Sequence, residues 1–102
     1  MALAAPSGTG YNLHVPGASQ MVRVKVLFFG RLKDIVSAAE DFAELRDAAT
    51  VEQLFALYAV KHPELAKYRG SVVASRNQEF TAWETMLRAD DEVAFLPPVS
   101  GG

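Results

Sequence analysis

The sequence contains no cysteine among its 102 residues. Disulfides, thiolate nucleophiles and cysteine-ligated metals are therefore excluded within the chain, and the composition suits a reducing setting such as the cytoplasm. Long apolar runs are also missing: no stretch approaches the roughly 20 residues that span a bilayer, so no membrane partner is expected. There is no basic patch. The formal net charge is -2 with acids and bases scattered, which argues against nucleic acid as the main partner. The two histidines, His14 and His62, share no metal-binding spacing, and no metal site is expected. Gly8-Thr9-Gly10 lacks the strand-to-helix context and the lysine of a phosphate loop. Ser37, Ser71, Ser75 and Ser100 have no histidine–acid constellation near them in sequence.

What is present fits one small domain. Half of the residues are hydrophobic, which is inconsistent with disorder throughout. A chain of this length buries only about 60–65% of the surface it exposes when unfolded, leaving little core in which to build a deep pocket. Residues 1–20 carry no Lys, Arg, Asp or Glu but three glycines and two prolines. They are expected to be a leader outside a domain at 21–96, with Met21 a candidate start. Neither a signal peptide's positive n-region nor its continuous apolar h-region is there.

From Val22 onward the pattern is periodic. Val22, Val24, Val26 and Phe28 alternate with Arg23, Lys25, Leu27 and Phe29, the period of a strand with one face in the core. Leu27 and Phe29 make the other face apolar at its end. Gly30 releases this strand into a short helix carrying Leu32, Ile35 and Val36. Residues 42–47 read as a second strand around Leu45, preceded by a polar loop at Glu40 and Asp41. Thr50 and Gln53 have the spacing of a capping box, and Val51, Leu54, Phe55 and Tyr58 then recur at helical spacing. Pro63 stops that helix near Lys61, with a turn around Leu65. A third strand is expected at 71–75, a turn at Asn77-Gln78, a short strand or hairpin reaching Trp83, and a last strand at 92–96. Asp90 and Asp91 punctuate before it. The acidic trio with Glu92 reads as a solvent-facing turn rather than a Mg²⁺ cluster.

The last strand runs into a tail at 97–102, Pro97-Pro98-Val99-Ser100-Gly101-Gly102. The prolines favour an extended path, and two residues without side chains suit passage through a narrow channel. The segment from Asp91 to Gly102 closely resembles the C-terminus of the small-subunit family of molybdopterin synthase, the sulfur carriers of molybdenum cofactor synthesis. Val24 to Phe29, Thr50 to Leu54 and Ala74 to Glu79, including Asn77, resemble that family's first strand, main helix, and central strand and turn. The family usually has glycine where Asp90 stands, and aspartate tolerates the left-handed conformation better than most residues. The resemblance implies an α+β, ubiquitin-like β-grasp fold: a mixed sheet, its last strand parallel to the first, packed against one main helix.

It also implies a chemistry. A carboxylate is a poor electrophile, so an E1-like activating enzyme uses ATP to convert Gly102 to an acyl-adenylate. A persulfide sulfur then replaces AMP and leaves a thiocarboxylate. Inserted into the large synthase subunit, in a heterotetramer of two large and two small subunits, this group gives its sulfur to a cyclic pyranopterin precursor and builds the dithiolene. The chain would act as a subunit of a sulfurtransferase and not alone, with no stably bound cofactor. Gly102 would carry the sulfur and Gly101 give clearance, while Pro97, Pro98, Val99 and Ser100 set reach. Phe28, Phe29, Phe80 and Phe95 are candidates for partner contact, ordinary core packing being the alternative for each. The rival readings are a carrier for thiamine or tRNA thiolation, a ubiquitin-like conjugation module, and a passive binding module with an incidental glycine tail.

Overall fold

The computed structural model describes residues 21–97. The expected leader at 1–20 and the tail beyond Pro97 lie outside the described residues. Strand β1 (Met21–Phe28) leads through Phe29 into helix α1 (Gly30–Val36), then β2 (Glu40–Arg46) and helix α2 (Val51–Lys61). A 3-10 segment (Pro63–Tyr68) follows, then β3 (Val73–Arg76), β4 (Glu79–Phe80) and β5 (Glu92–Leu96). The strands form one sheet in the order β2-β1-β5-β3-β4. β1 runs parallel to β5 and antiparallel to β2, and β3 is antiparallel to both β5 and β4. The last strand is thus central and parallel to the first, with a single main helix across the sheet: the β-grasp fold.

Local chemistry explains the element ends. α2 begins at Thr50, whose hydroxyl accepts from the Gln53 N–H at 3.2 Å while the Gln53 side chain accepts from the Thr50 N–H at 2.8 Å. Two donors orphaned at the helix start are satisfied reciprocally. Glu40 and Asp41, expected in a loop, belong to β2 instead. Both are exposed on an edge strand, which tolerates charge: Glu40 on the open face beside Lys25, and Asp41 at the rim of the helix side, where it accepts a 2.8 Å hydrogen bond from the Tyr58 hydroxyl. Burial, followed by that bond, pushes the Tyr58 phenol above its ordinary pKa. β4 is shorter than expected: pairing ends at Phe80, so Trp83 lies in the connection to β5, where its ring packs back on the core.

Alternation decides which side of the sheet is covered. Val24, Val26 and Phe28 of β1, Ala43 and Leu45 of β2, Ala74 of β3, and Val93 and Phe95 of β5 all enter the core beneath α2. Phe95 is its centre, meeting Phe28 at 5.9 Å, Phe55 at 5.2 Å and Trp83 at 6.0 Å between ring centroids. Among the described residues no helix is long and apolar enough to cross a membrane.

Candidate functional site

The sheet's other face is open, and its residues sort by distance from the tail. One row crosses four strands: Leu27 pairs with Ala94, Ala94 with Ser75, and Ser75 with Phe80. Small side chains in the middle of that row and large ones at its ends make a groove. Leu27, Phe29, Phe80 and Leu96 wall a shallow apolar hollow of about 370 Å³, with Ser75 and Ala94 at its floor and Gln78 and Glu92 on its border. Phe80 is 79% exposed and Phe29 45%. Full burial of a Phe side chain is worth roughly 1.5–3 kcal/mol, of which Phe80 forgoes most and Phe29 a part. Farther from the tail the same face turns polar, with Lys25 standing 3.6 Å from Glu40 and 3.9 Å from Glu92.

The tail leaves from this end. Leu96 closes β5 on the groove side, and Pro97 follows on the side of α1. Gly30, at φ +55°, lies directly beneath the Pro97 ring, and a Cβ there would come within 2.9 Å of the Pro97 Cγ. A missing side chain therefore seats the first tail residue. Gly102 stands five positions after Pro97 in the sequence, within a covalent reach of about 18 Å.

Apart from Pro97, which packs over Gly30, the expected site residues separate into three groups. Phe29 and Phe80 are on the groove. Phe28 and Phe95 are 1% and 0% exposed, which corrects their assignment to partner contact: alternation turns them to the helix side, where they hold the core. Pro98, Val99, Ser100, Gly101 and Gly102 lie outside the described residues. Sequence reasoning missed Ala94, Leu96 and Ser75, though the parity that places Val93 and Phe95 in the core assigns Ala94 and Leu96 to the same side as Leu27.

The acidic trio is not a uniform solvent-facing turn. Asp90 is exposed and adopts φ +69°, the left-handed conformation expected of the residue standing where glycine is usual. Its N–H donates to the Arg23 carbonyl at 2.8 Å. Asp91, by contrast, is 7% exposed, accepting from the Arg88 N–H and the Asn77 side-chain amide at 2.8 and 3.0 Å. Among the described residues no group of three or more His, Asp or Glu side chains is arranged to hold a metal ion.

The description of the ThiS family matches residues 26–102. The chain belongs to the ThiS family. Within that frame it is 35% identical to the molybdopterin synthase sulfur carrier subunit of Chlamydomonas reinhardtii, over 79% of this chain and all of that protein. Among solved structures, the small archaeal modifier protein 1 of Methanosarcina acetivorans aligns with a TM-score of 0.69 at 27% identity, covering 82% of this chain and all of that one. The complex of subunits 1 and 2 of the molybdopterin-converting factor of Helicobacter pylori contains a chain that aligns with a TM-score of 0.57 at 26% identity. That alignment covers 79% of this chain and all of the other. The ThiS-family match runs to residue 102, so it includes Gly101 and Gly102.

Proposed function

We propose that this chain is the sulfur carrier subunit of a molybdopterin synthase, with the carboxylate of Gly102 as its working group. The observation that carries the reading is the pairing of a family match reaching Gly102 with an apolar groove beside the tail's point of departure. The 35% identical relative bears that function in its name, and the Helicobacter pylori structure is a complex of subunits 1 and 2 of the molybdopterin-converting factor, which supports a second subunit as partner.

The chemistry follows from the poor electrophilicity of a carboxylate. An activating enzyme transfers AMP from ATP to the Gly102 oxygen, releasing pyrophosphate. A donor protein's persulfide attacks the acyl carbon and expels AMP. Cleavage of the resulting acyl disulfide by a thiol leaves the thiocarboxylate on Gly102 and a disulfide on the donor. Ionised near neutral pH, the thiocarboxylate attacks an oxygen-bearing carbon of the pterin precursor in the large subunit and displaces that oxygen. Water then cleaves the resulting thioester, leaving the sulfur on the pterin and Gly102 as carboxylate, ready for reloading. ATP and pterin are held by the partners. This chain supplies the reacting atom, a tail slim enough to thread, and the groove by which each partner grips it. Two carriers on a pair of large subunits, working in the cytoplasm, complete the reading.

The test is an intact mass after incubation with activating enzyme, ATP and sulfur donor, followed by peptide mapping. Exchange of oxygen for sulfur adds roughly 16 Da, close to the mass of a methionine oxidation, so the gain must be localised. A gain confined to Gly102 and dependent on ATP is expected. An unchanged Gly102 in a demonstrably active system refutes the reading, and adducts to lysine that survive reduction replace it with conjugation.

A further inference from the structure

The groove has one wall that the sheet holds weakly. Phe80 and Gln78 belong to the β3–β4 hairpin at the sheet's edge, and β4 is only two residues long. Its ladder consists of Ser75 with Phe80 and Arg76 with Glu79, plus one backbone bond from the Thr81 N–H to the Ala74 carbonyl at 3.1 Å. The opposite wall comes from β1 and β5, in the middle of the sheet, and the floor from Ala94 of β5 and Ser75 of β3. The start of β5 is tied to β1 by backbone bonds, Lys25 N–H to the Asp91 carbonyl at 2.9 Å and Asp90 N–H to the Arg23 carbonyl at 2.8 Å. A rigid wall thus faces a marginal one.

Asn77 joins them. With Gln78 it forms the two-residue hairpin loop, both at positive φ (52° and 72°), as a loop of this length requires between twisted strands. Its side-chain oxygen accepts from the Glu92 N–H at 2.9 Å, and its side-chain nitrogen donates to the Asp91 carboxylate at 3.0 Å. Its own N–H donates to the Glu92 carbonyl at 2.7 Å. Asn77 therefore ties the hairpin tip to the entry of β5 by three hydrogen bonds, while the neighbouring Arg76 guanidinium stands farther off, 3.8 Å from the same Asp91 carboxylate. Asp91 is prepared for this: it is buried, and its second oxygen is occupied by the Arg88 N–H at 2.8 Å.

We propose that Asn77 is a positioning residue for partner docking, acting through its amide clamp on Asp91 and Glu92 to hold Phe80 opposite Leu27 and Leu96. The inference rests on the reading that the groove receives the large synthase subunit. Asn77 itself need not touch that subunit. Loss of the clamp leaves the core rings in place and lets the hairpin wander, so the partner meets an ordered wall for only part of the time.

Asn77→Gly removes the clamp without straining the loop, because glycine accepts the positive φ, and the chain freedom it adds is read separately in the melting temperature. Full-length wild type, Asn77→Gly, Phe80→Ala and the double variant are titrated calorimetrically with the large subunit. Each variant's melting temperature is recorded beside it. Phe80→Ala is expected to weaken binding about tenfold, as an apolar anchor does when truncated. Asn77→Gly is expected to weaken it by several-fold. The double variant should bind only about as weakly as Phe80→Ala alone, since the clamp has nothing left to position. Ile35→Ala, a destabilised variant outside the hairpin, should bind like wild type. Losses that multiply, unaltered binding by Asn77→Gly, or equal weakening by Ile35→Ala would each overturn the proposal. Should wild type itself not bind the large subunit, the docking reading falls and takes the proposal with it. If wild type binds and Phe80→Ala weakens it while Asn77→Gly does not, the proposal falls alone.

Discussion

The two faces of the sheet are built from the same kinds of residue and do different work. Under α2, Phe95 is enclosed by Phe28, Phe55 and Trp83, and every large side chain has a partner. On the other side Leu27, Phe29, Phe80 and Leu96 surround a hollow with small residues at its floor. Consecutive residues of one strand serve both: Phe95 closes the core, and Ala94 and Leu96 line the groove. The lesson is that aromatic content alone does not mark an interface in a small domain. Parity along a central strand does, because it decides which ring can reach water.

The largest expected effect breaks the comparison at its centre. Phe95→Ala should cost about 3–5 kcal/mol in urea or thermal unfolding, since the vacated space is walled by rings that cannot all collapse into it. Phe80→Ala should change stability by less than about 0.5 kcal/mol while impairing docking. Similar stability losses for the two would erase the distinction between the faces.

A middle-sized effect is expected at the start of α2, on the covered side. Thr50→Ala removes the hydroxyl half of the capping box and should cost about 1 kcal/mol, read from the denaturation midpoint. Docking by the folded fraction should be unaffected. The same helix end gives a pH prediction. Glu52 is held below its ordinary carboxylate range chiefly by hydrogen bonds from Arg69, whose guanidinium also lies 3.5 Å from the centre of the Trp83 ring. A carboxylate whose pKa falls on folding stabilises the protein above its unfolded pKa and loses that contribution as pH falls through the folded one. Wild type should therefore lose more stability than Glu52→Gln on acidification from neutral pH through the carboxylate range. Because Glu52 is exposed, solvent screens the pair and the difference will be small.

The smallest effect is at Asp90. Asp90→Gly should leave stability within about 1 kcal/mol of wild type, relief of the left-handed backbone being opposed by the greater freedom of an unfolded glycine. A change well beyond that, measured by chemical denaturation, would mean that the Asp90 side chain does something besides filling a turn.

Much of this was legible in the residues. The alternation of β1 and the limits of β5 follow from period-two patterning, and the start and stop of α2 from Thr50, Gln53 and Pro63. Local pattern failed where long-range pairing decides. Glu40 and Asp41 looked like a loop because charge is tolerated on an edge strand. Trp83 looked like part of a strand because nothing local shows that β4 stops after Phe80. Phe28 and Phe95 were candidates for partner contact with core packing as the alternative, and their burial decides for the core. The parallel neighbourhood of β1 and β5 joins residues more than 60 positions apart, and only the resemblance to a known family anticipated it. The groove needed four strands in register, which no single window of sequence displays.

The central claim is that Gly102 delivers sulfur to a pterin while the groove holds the partner. Single-turnover transfer tests it most directly: carrier thiocarboxylate, large subunit and cyclic pyranopterin precursor are mixed, and product and carrier mass are followed together. The expected result is dithiolene sulfur appearing in step with return of Gly102 to carboxylate, slowed in Phe80→Ala at limiting large subunit. A thiocarboxylate that persists in the presence of active large subunit and precursor would contradict the account.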